Sequence, residues 1–190
     1  MPSRNRTHRL VPGAKADGAA GFSLIEMVVV SAIVGIFIAL AAPNLLSWMQ
    51  DNTLAAQANV VIGAFNLARS ESIKRGEAVT ICSSVDGASC SGSLHWETGW
   101  ILFDDPNNPG VRDAGESIIR VHEALALLTL RSTISRVTFS ANGFSSGFAG
   151  TWTLCDSRGA ATPPSATHPL GITLSNTGHV RSATGVLTCP

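Results

Sequence analysis

Ser145 is the residue of this sequence whose surroundings most resemble a catalytic motif. It lies in Gly143-Phe144-Ser145-Ser146-Gly147, which fits the G-x-S-x-G pattern of a serine nucleophile. Asp156 follows it, and then His168 and His179, in the order that hydrolases use. That nucleophile needs a strand, a sharp turn and then a helix, whereas the residues after this run predict a turn and another strand. We therefore interpret the run as a glycine-rich turn and keep a hydrolase based on Ser145 as a remote alternative.

Acidic residues between positions 105 and 116 have the spacing of a cation site. Asp105, Asn107, Asp113 and Glu116 fall at positions one, three, nine and twelve of a calcium-binding loop. Pro109, at position five, offers no side-chain oxygen, and strands rather than helices are predicted on both sides. An acidic hairpin loop is the simpler interpretation, and we expect no metal and no cofactor.

The four cysteines could form disulfides or bind a metal. Cys82 and Cys90 flank a loop rich in serine and glycine, and Cys155 precedes a predicted hairpin that is followed by Cys189. We propose the bridges 82–90 and 155–189, although the spacing leaves other pairings open. The second bridge would stabilise the fold by about 3–4 kcal/mol in the chain-entropy model, because it closes the longer loop. Paired C-x-x-C or histidine spacing, which would favour zinc, is absent from the sequence.

Glu26 is the only charged residue between Phe22 and Ala42. At about 1.5 Å per residue, a helix over this apolar stretch is long enough to cross a hydrocarbon core of about 30 Å. A carboxylate within such a helix costs about 2.5–3.5 kcal/mol on insertion scales, so it normally marks a function and has a specific partner. Four basic side chains and one acidic side chain precede the stretch. This basic leader predicts that the N-terminus stays inside the cell and the body of the protein outside.

The charge balance changes along the chain. The whole sequence has a formal net charge of zero, but residues 51–130 carry ten acids and five bases, and residues 131–190 carry four arginines and one aspartate. We expect one domain, because the residues after the apolar stretch are numerous enough to form their own core. The uneven distribution of charge predicts that the surface of this domain is polarised.

A second helical segment follows the apolar stretch. Its apolar residues recur at spacings of three and four and form one stripe, at Leu54, Ala58, Val61, Phe65, Ala68 and Ser72. Gly76, after Lys74 and Arg75, is a plausible helix stop. We predict one helix of about fifty residues, with its first half in lipid and its second half packed on a domain.

After Gly76 the pattern becomes that of strands separated by turns. The predicted strands are 78–85, 99–105, 117–122, 136–139, 151–155 and 171–175, and a turn at 176–178 folds the last of them back into 179–183 as a hairpin. Trp96, Trp100 and Trp152 are most simply core residues. The predicted fold class is α+β, with a long N-terminal helix packed on a mainly antiparallel β-sheet domain.

The residues from Gly21 to Glu26, placed between a basic leader and an apolar helix, resemble the type IV prepilin signature. The resemblance implies that a membrane peptidase cuts between Gly21 and Phe22, that the new N-terminal amine of Phe22 is methylated, and that Glu26 helps to dock the subunit into a filament. The freed ammonium of Phe22, on the same or a neighbouring subunit, could then neutralise Glu26 in a low dielectric.

Two further segments narrow the resemblance. Residues 66–82 (NLARSESIKRGEAVTIC) and 99–104 (GWILFD) look like the GspH/FimT branch, which contains minor type IV pilins and the minor pseudopilin H of type II secretion. The resemblance implies a structural subunit rather than an enzyme, with other pilins or pseudopilins, the prepilin peptidase and the inner membrane as partners. The type II secretion role is kept as the alternative, and a membrane-anchored periplasmic hydrolase using Ser145 as the remote one.

The same resemblance implies a division of the chain and a location. Residues 1–21 would be the leader, 22–42 the transmembrane and filament-core helix, 43–76 its amphipathic half and 77–190 the β-rich pilin domain. We expect a single-pass protein of the inner membrane with its body in the periplasm, and later a position in a pilus or pseudopilus, at or near the tip.

The hairpin residues Gly178-His179-Val180-Arg181 suggest a DNA contact. Some FimT-type pilins bind DNA through a Gly-Arg-x-Arg motif at this place, and this chain has His179 where the first arginine would be. Residues 179 and 181 share one face of a strand, and Arg158 could join them if Cys155 is bridged to Cys189. Non-specific DNA capture for uptake is therefore a further expectation, with His179, Arg181 and Arg158 as candidate phosphate contacts.

Overall fold

A computed structural model describes residues 21–107, 110–159, 169–183 and 189, without the side chains of 41–44 and of 183. The predicted leader, apart from Gly21, lies outside the described residues, as do Pro109 and His168. The chain divides into two compact units, Met1–Asn44 and Leu45–Pro190.

Helix α1 spans Leu24–Arg75, which is 52 residues. It ends at the residue before Gly76, as predicted, and Gly76 has the positive φ of 67° that commonly ends a helix. In the first unit its large apolar side chains are exposed. In the described part of the chain, α1 is the one helix that is long and apolar enough to cross a membrane. None of its most apolar segment is buried.

In the second unit, α1 buries one stripe of its surface. The six stripe positions predicted from the sequence are all at most 2% exposed, and they are Leu54, Ala58, Val61, Phe65, Ala68 and Ser72. They contribute to a core whose centre is a trio of rings. Phe65 lies 4.6 Å from Trp152 and 5.9 Å from Trp96, and the two tryptophan rings meet edge to face at 5.5 Å. Three large rings in mutual contact give this core specific packing as well as apolar burial.

In the part of the chain that the structure describes, eight strands follow α1 and form two antiparallel sheets rather than one. The first sheet has the order β3-β2-β1-β5, and its strands are β1 Val79–Ser83, β2 Trp100–Asp104, β3 Ile118–His122 and β5 Arg136–Phe139. The second has the order β4-β6-β7-β8, and its strands are β4 Thr129–Ser132, β6 Gly150–Cys155, β7 Leu170–Leu174 and β8 Val180–Ala183. A 3-10 helix, Trp96–Thr98, lies between β1 and β2. The α+β architecture was predicted, and seven strands lie within one or two residues of their predicted positions.

Both disulfides proposed from the sequence are present. Cys82 is bonded to Cys90, eight residues away, and Cys155 to Cys189, 34 residues away. The first closes the loop after β1. The second joins the end of β6 to Cys189, beyond the last strand of the same sheet.

The acidic loop after β2, whose spacing resembles that of a calcium site, is held in place by the buried carboxylate of Asp105. Asp105 is fully buried, and its carboxylate accepts a hydrogen bond from the Thr80 hydroxyl at 2.6 Å and one from the main-chain N–H of Gly110. No group of three metal-ligating side chains occurs within the described residues. Asp105 therefore ties the loop after β2 to strand β1.

Candidate functional site

The N-terminus of α1 places Glu26 in the first turn of the helix. Ser23 precedes the helix, and its hydroxyl accepts a hydrogen bond from the main-chain N–H of Glu26 at 3.2 Å. This is the N-cap position, and Glu26 is the third helical residue, as in a capping box. A carboxylate there interacts favourably with the positive end of the helix dipole.

Gly21 and Phe22 are exposed just before this turn. Phe22 is 78% exposed, and the apolar side chains from Leu24 to Leu40 are also largely exposed. In the described part of this unit, no protein surface covers the apolar stretch. It therefore needs a lipid or protein environment outside the chain.

The C-terminal hairpin brings together a second group of candidate residues. Strand β7 turns into β8 through Ser175–His179, and the turn is closed by hydrogen bonds from Ser175 N–H to His179 O and from Gly178 N–H to Ser175 O. Val180 packs against the core, so His179 and Arg181 lie on the opposite face of β8, where both are exposed. Strand β8 is at the edge of its sheet, and both side chains project from the sheet face that is open to solvent.

Ser145 supports this hairpin turn and is not placed as a nucleophile. It is fully buried, its hydroxyl donates to Ser175 O at 2.9 Å, and its N–H donates to Asn176 O at 3.0 Å. The run from Gly143 to Gly147 connects β5 to β6, so it joins two strands. The strand–turn–helix context of a hydrolase is absent at this run, and the Asp156 carboxylate is paired with Arg158.

Arg69 is a residue of this site that the sequence analysis missed. It lies on α1, and its Nε is 3.3 Å from the position that a Cβ atom of Gly178 would occupy and 3.2 Å from that of Gly143. This Nε is buried and has no hydrogen-bond partner among the described residues. The helix stripe predicted only which face of α1 is buried. The contact with Gly178 depends on how the hairpin turn folds over the helix, so no local sequence pattern indicates it.

Arg158 lies apart from the hairpin turn. It follows the end of β6 that pairs with Leu170, whereas the turn adjoins the other end, where Gly150 pairs with Leu174. Its guanidinium is bound to Asp156 at 2.6 Å and to Asp51 at 2.8 Å. The hydrogen bonds that the guanidinium donates to Asp156 are the main reason why the pKa of Arg158 is raised above its ordinary value. Arg158, which was predicted to join His179 and Arg181, instead links the loop after β6 to α1.

Comparisons with known proteins agree with this geometry. Residues 57–178 match the family model described as type II transport protein GspH, and residues 17–42 match the prokaryotic N-terminal methylation motif. No curated protein sequence matches the chain at a significant level.

Two similar solved structures are crystal forms of the type IV minor pilin FimU of Pseudomonas aeruginosa. The first is 20% identical, with a TM-score of 0.53 over 70% of this chain and 90% of that one. The second is 19% identical, with a TM-score of 0.51 over 68% and 91%. At this level of identity the likeness concerns the fold.

Proposed function

Because the chain belongs to the GspH family of minor pilins and pseudopilins, we propose that it is a minor subunit of a type IV pilus that acts in filament assembly or priming. Members of this family are structural subunits rather than enzymes. The partners would be other major and minor pilins and the prepilin peptidase. The body would face the periplasm before assembly and lie at or near the filament tip afterwards.

The observation that carries this proposal is the exposed apolar half of α1 with one carboxylate in its first turn. An apolar helix is stable in lipid because it satisfies its own main-chain hydrogen bonds. It is also suited to packing among other helices once it leaves the bilayer. The same surface can therefore serve as membrane anchor and as filament core.

The chemistry of assembly would depend on Phe22 and Glu26. Cleavage of the peptide bond after Gly21 creates an ammonium group on Phe22, four residues before Glu26. A carboxylate and an ammonium in a low dielectric are costly separately and attract each other strongly when paired. A subunit would thus be held in the filament by the Phe22 amine, its own or a neighbour's, against Glu26.

The test uses three variants expressed in the native cell. Gly21→Val should leave uncleaved precursor, and N-terminal sequencing of the wild-type protein should begin at Phe22. Glu26→Gln should be cleaved and reach the membrane but be lost from sheared filaments. Ser23→Ala is the matched control, because it removes the helix cap and keeps the charge. Normal maturation of Gly21→Val, or normal incorporation of Glu26→Gln, would contradict the assembly proposal.

The alternative is the minor pseudopilin H role in type II secretion. Both roles use the same helix and the same cleavage, so the subunit chemistry does not separate them. A deletion strain does. Loss of surface pili with normal secretion of exoproteins supports the pilus, and the reverse supports the secretion system.

DNA capture is a second candidate function, favoured by the position of Arg69 beside Gly178. Arg69, His179 and Arg181 come from α1 and β8, and no ion pair joins any of them to an acidic side chain within the described residues. Three such side chains could contact phosphates without sequence preference, and the binding would weaken as salt rises.

A mobility-shift titration of the fragment 45–190 tests this candidate. Arg181→Ala and Arg69→Ala should each weaken binding, and His179→Arg should strengthen it, because the arginine guanidinium is always charged and can donate two hydrogen bonds to one phosphate. Arg120→Ala, an exposed arginine on β3 of the other sheet, is the control. Equal affinity of all four variants would exclude the hairpin as the DNA contact.

A further inference from the structure

Phe144 leaves an aromatic ring on the surface beside the C-terminal hairpin. Seven phenylalanine and tryptophan rings follow α1 in the sequence, and the structure describes all of them. Six are buried or packed against buried apolar residues, whereas Phe144 is 44% exposed. Packing of the core therefore does not explain this ring. A single exposed apolar side chain is ordinary in itself, so its surroundings decide whether it has a function.

The residues on both sides of Phe144 are in main-chain contact with the hairpin turn. After it, the N–H of Ser145 donates to Asn176 O at 3.0 Å. Before it, the carbonyl oxygen of Gly143 lies against Gly178. Phe144 is therefore presented at the turn that leads into β8, next to the exposed face of that strand.

The main chain of Phe144 is itself fixed. Its N–H donates to the side-chain oxygen of Asn142 at 3.2 Å, and its carbonyl oxygen accepts the N–H of Ser140 at 2.9 Å. The hydroxyl of Ser140 donates to the same carbonyl oxygen at 3.0 Å. A ring that is held in place before a ligand arrives loses little conformational entropy on binding, so this turn is suited to presenting Phe144 to a partner.

Basic side chains adjoin the ring on two elements. Arg69 on α1 lies beside the turns that contain Gly143 and Gly178. Arg181 is on the exposed face of β8 that follows the turn. The one acidic side chain among residues 131–190 is Asp156, at the opposite end of β6. This third of the chain therefore places positive charge, and no acidic side chain, beside the hairpin turn.

An exposed ring between basic side chains fits one class of polyanion. Single-stranded nucleic acid is bound by cations that contact its phosphates and by aromatic rings on which its bases stack. In a duplex the faces of the bases are covered by their neighbours, so a surface ring reaches them only if the duplex is unstacked, which costs free energy. The ring therefore adds to the binding of a single strand and not to that of an intact duplex.

We propose that Phe144 stacks on an unpaired base of a DNA strand whose phosphates contact Arg181 and Arg69, so that this site takes single-stranded DNA in preference to duplex. The inference rests on the DNA-capture candidate described above and names its substrate. The cations alone would bind the backbone of any DNA. The ring adds selectivity for unpaired bases without adding selectivity for sequence, because every base has a face on which an aromatic ring can stack.

The experiment compares the binding of a strand with that of a duplex by fluorescence anisotropy. The full chain in neutral detergent micelles is titrated into labelled oligo(dT) of about 12 nucleotides, or into a duplex of equal length. The variants are Phe144→Ala, Phe144→Leu, Phe144→Trp and Arg181→Ala. Val85→Ala is the control, because Val85 is an apolar residue that is 72% exposed in the loop after β1 of the other sheet. The basic leader contributes equally to every variant, so differences between variants report on the substituted residue.

The expected result is that wild type binds the strand more tightly than the duplex. Phe144→Ala and Phe144→Leu should weaken binding of the strand by about 5- to 100-fold and that of the duplex by less than about twofold, because leucine keeps an apolar side chain but has no ring. Phe144→Trp should keep the affinity of wild type, and oligo(dT) should quench the fluorescence of the added tryptophan. Arg181→Ala should weaken the binding of both DNAs, and Val85→Ala that of neither.

Two results overturn the proposal and leave DNA capture standing, provided that Arg181→Ala weakens the binding of both DNAs. One is that Phe144→Ala weakens the binding of strand and duplex equally or not at all. The other is that Phe144→Leu binds the strand as tightly as wild type does, since stacking would then not be the interaction. If wild type binds neither DNA, DNA capture and this inference fail together.

Discussion

Gly178 lies against the main-chain carbonyl of Gly143, so that a Cβ atom built on Gly178 would be only 2.2 Å from that oxygen. The hairpin turn and the turn that supports it are thus in main-chain contact, with Arg69 beside both. A close approach of two main chains is possible only without a side chain at this point. The exposed face of β8 is therefore positioned by the contact between two glycine-rich turns.

Gly178→Ala should destabilise the fragment 45–190 more than an equivalent change elsewhere. Gly178 and Gly147 both have positive φ, 75° and 83°, but a Cβ atom on Gly147 would meet nothing within 4 Å. Gly147→Ala should cost about 1 kcal/mol from backbone strain alone. Gly178→Ala should cost about 2–4 kcal/mol, because the main chain must also move. Urea denaturation measures the free energy of unfolding of both variants. Equal losses of stability would contradict the close contact between Gly178 and Gly143.

Phe65→Ala should remove about 3–5 kcal/mol of stability, because Phe65 is 0% exposed and contacts both Trp96 and Trp152. Phe144→Ala is the matched control. It deletes the same side chain at a position that is 44% exposed, and it should cost less than about 1 kcal/mol. The comparison is made by thermal and urea unfolding of the same fragment. A similar loss for both variants would mean that the ring trio does not form the centre of the core.

The helix and most strands could be predicted from the sequence, because each is indicated by residues that are close together in the chain. The stripe from Leu54 to Ser72 repeats at helical spacing, and Gly76 ends the helix. The strand Arg136–Phe139 was predicted with its observed bounds. One strand was missed. Strand β4, Thr129–Ser132, is only four residues long, and its pairing with β6 is supplied from 20 to 26 residues away in sequence. The division into two sheets likewise depends on long-range pairing, which periodicity does not indicate.

The candidate site was predictable only in part, for the same reason. His179 and Arg181 share a face because strand alternation places them there. The position of Arg69 beside the hairpin turn could not be predicted, because its neighbours Gly178 and Gly143 are distant from it in sequence. Arg158 was expected near the hairpin because of the bridge from Cys155 to Cys189. The bridge is present, but Asp156 and Asp51 hold the guanidinium at the other end of β6.

Asp86 should make the stability of the fragment sensitive to acid. Its carboxylate accepts hydrogen bonds from the Ser89 hydroxyl at 2.6 Å and from the N–H groups of Ala88 and Ser89 at 2.8 Å, and the Ser89 hydroxyl is the largest cause of its strongly lowered pKa. Because the pKa is lower in the folded state, the stabilisation is present above the ordinary value of 3.8 and is lost as the pH falls below it. The stability difference between wild type and Asp86→Asn should therefore be constant from pH 8 to 6 and shrink below about pH 4.

Urea denaturation at a series of pH values checks the behaviour of Asp86. Ser89→Ala provides an independent variant, because it removes the hydroxyl donor and keeps the carboxylate. Its acid dependence should lie between those of wild type and Asp86→Asn. A difference between wild type and Asp86→Asn that does not change with pH would show that the carboxylate has no special stabilisation in the folded state.

Leu127 allows backbone strain to be measured apart from core packing, because its side chain is exposed and its φ is positive. Leu127→Ala and Leu127→Gly both remove an exposed side chain, so neither sacrifices core packing. Alanine keeps the strain of a left-handed residue at φ 61°, whereas glycine relieves it. Leu127→Gly should therefore be more stable than Leu127→Ala by about 1 kcal/mol, measured by urea denaturation of the fragment 45–190. Equal stabilities, or a more stable alanine variant, would show that the loop does not hold residue 127 in this conformation.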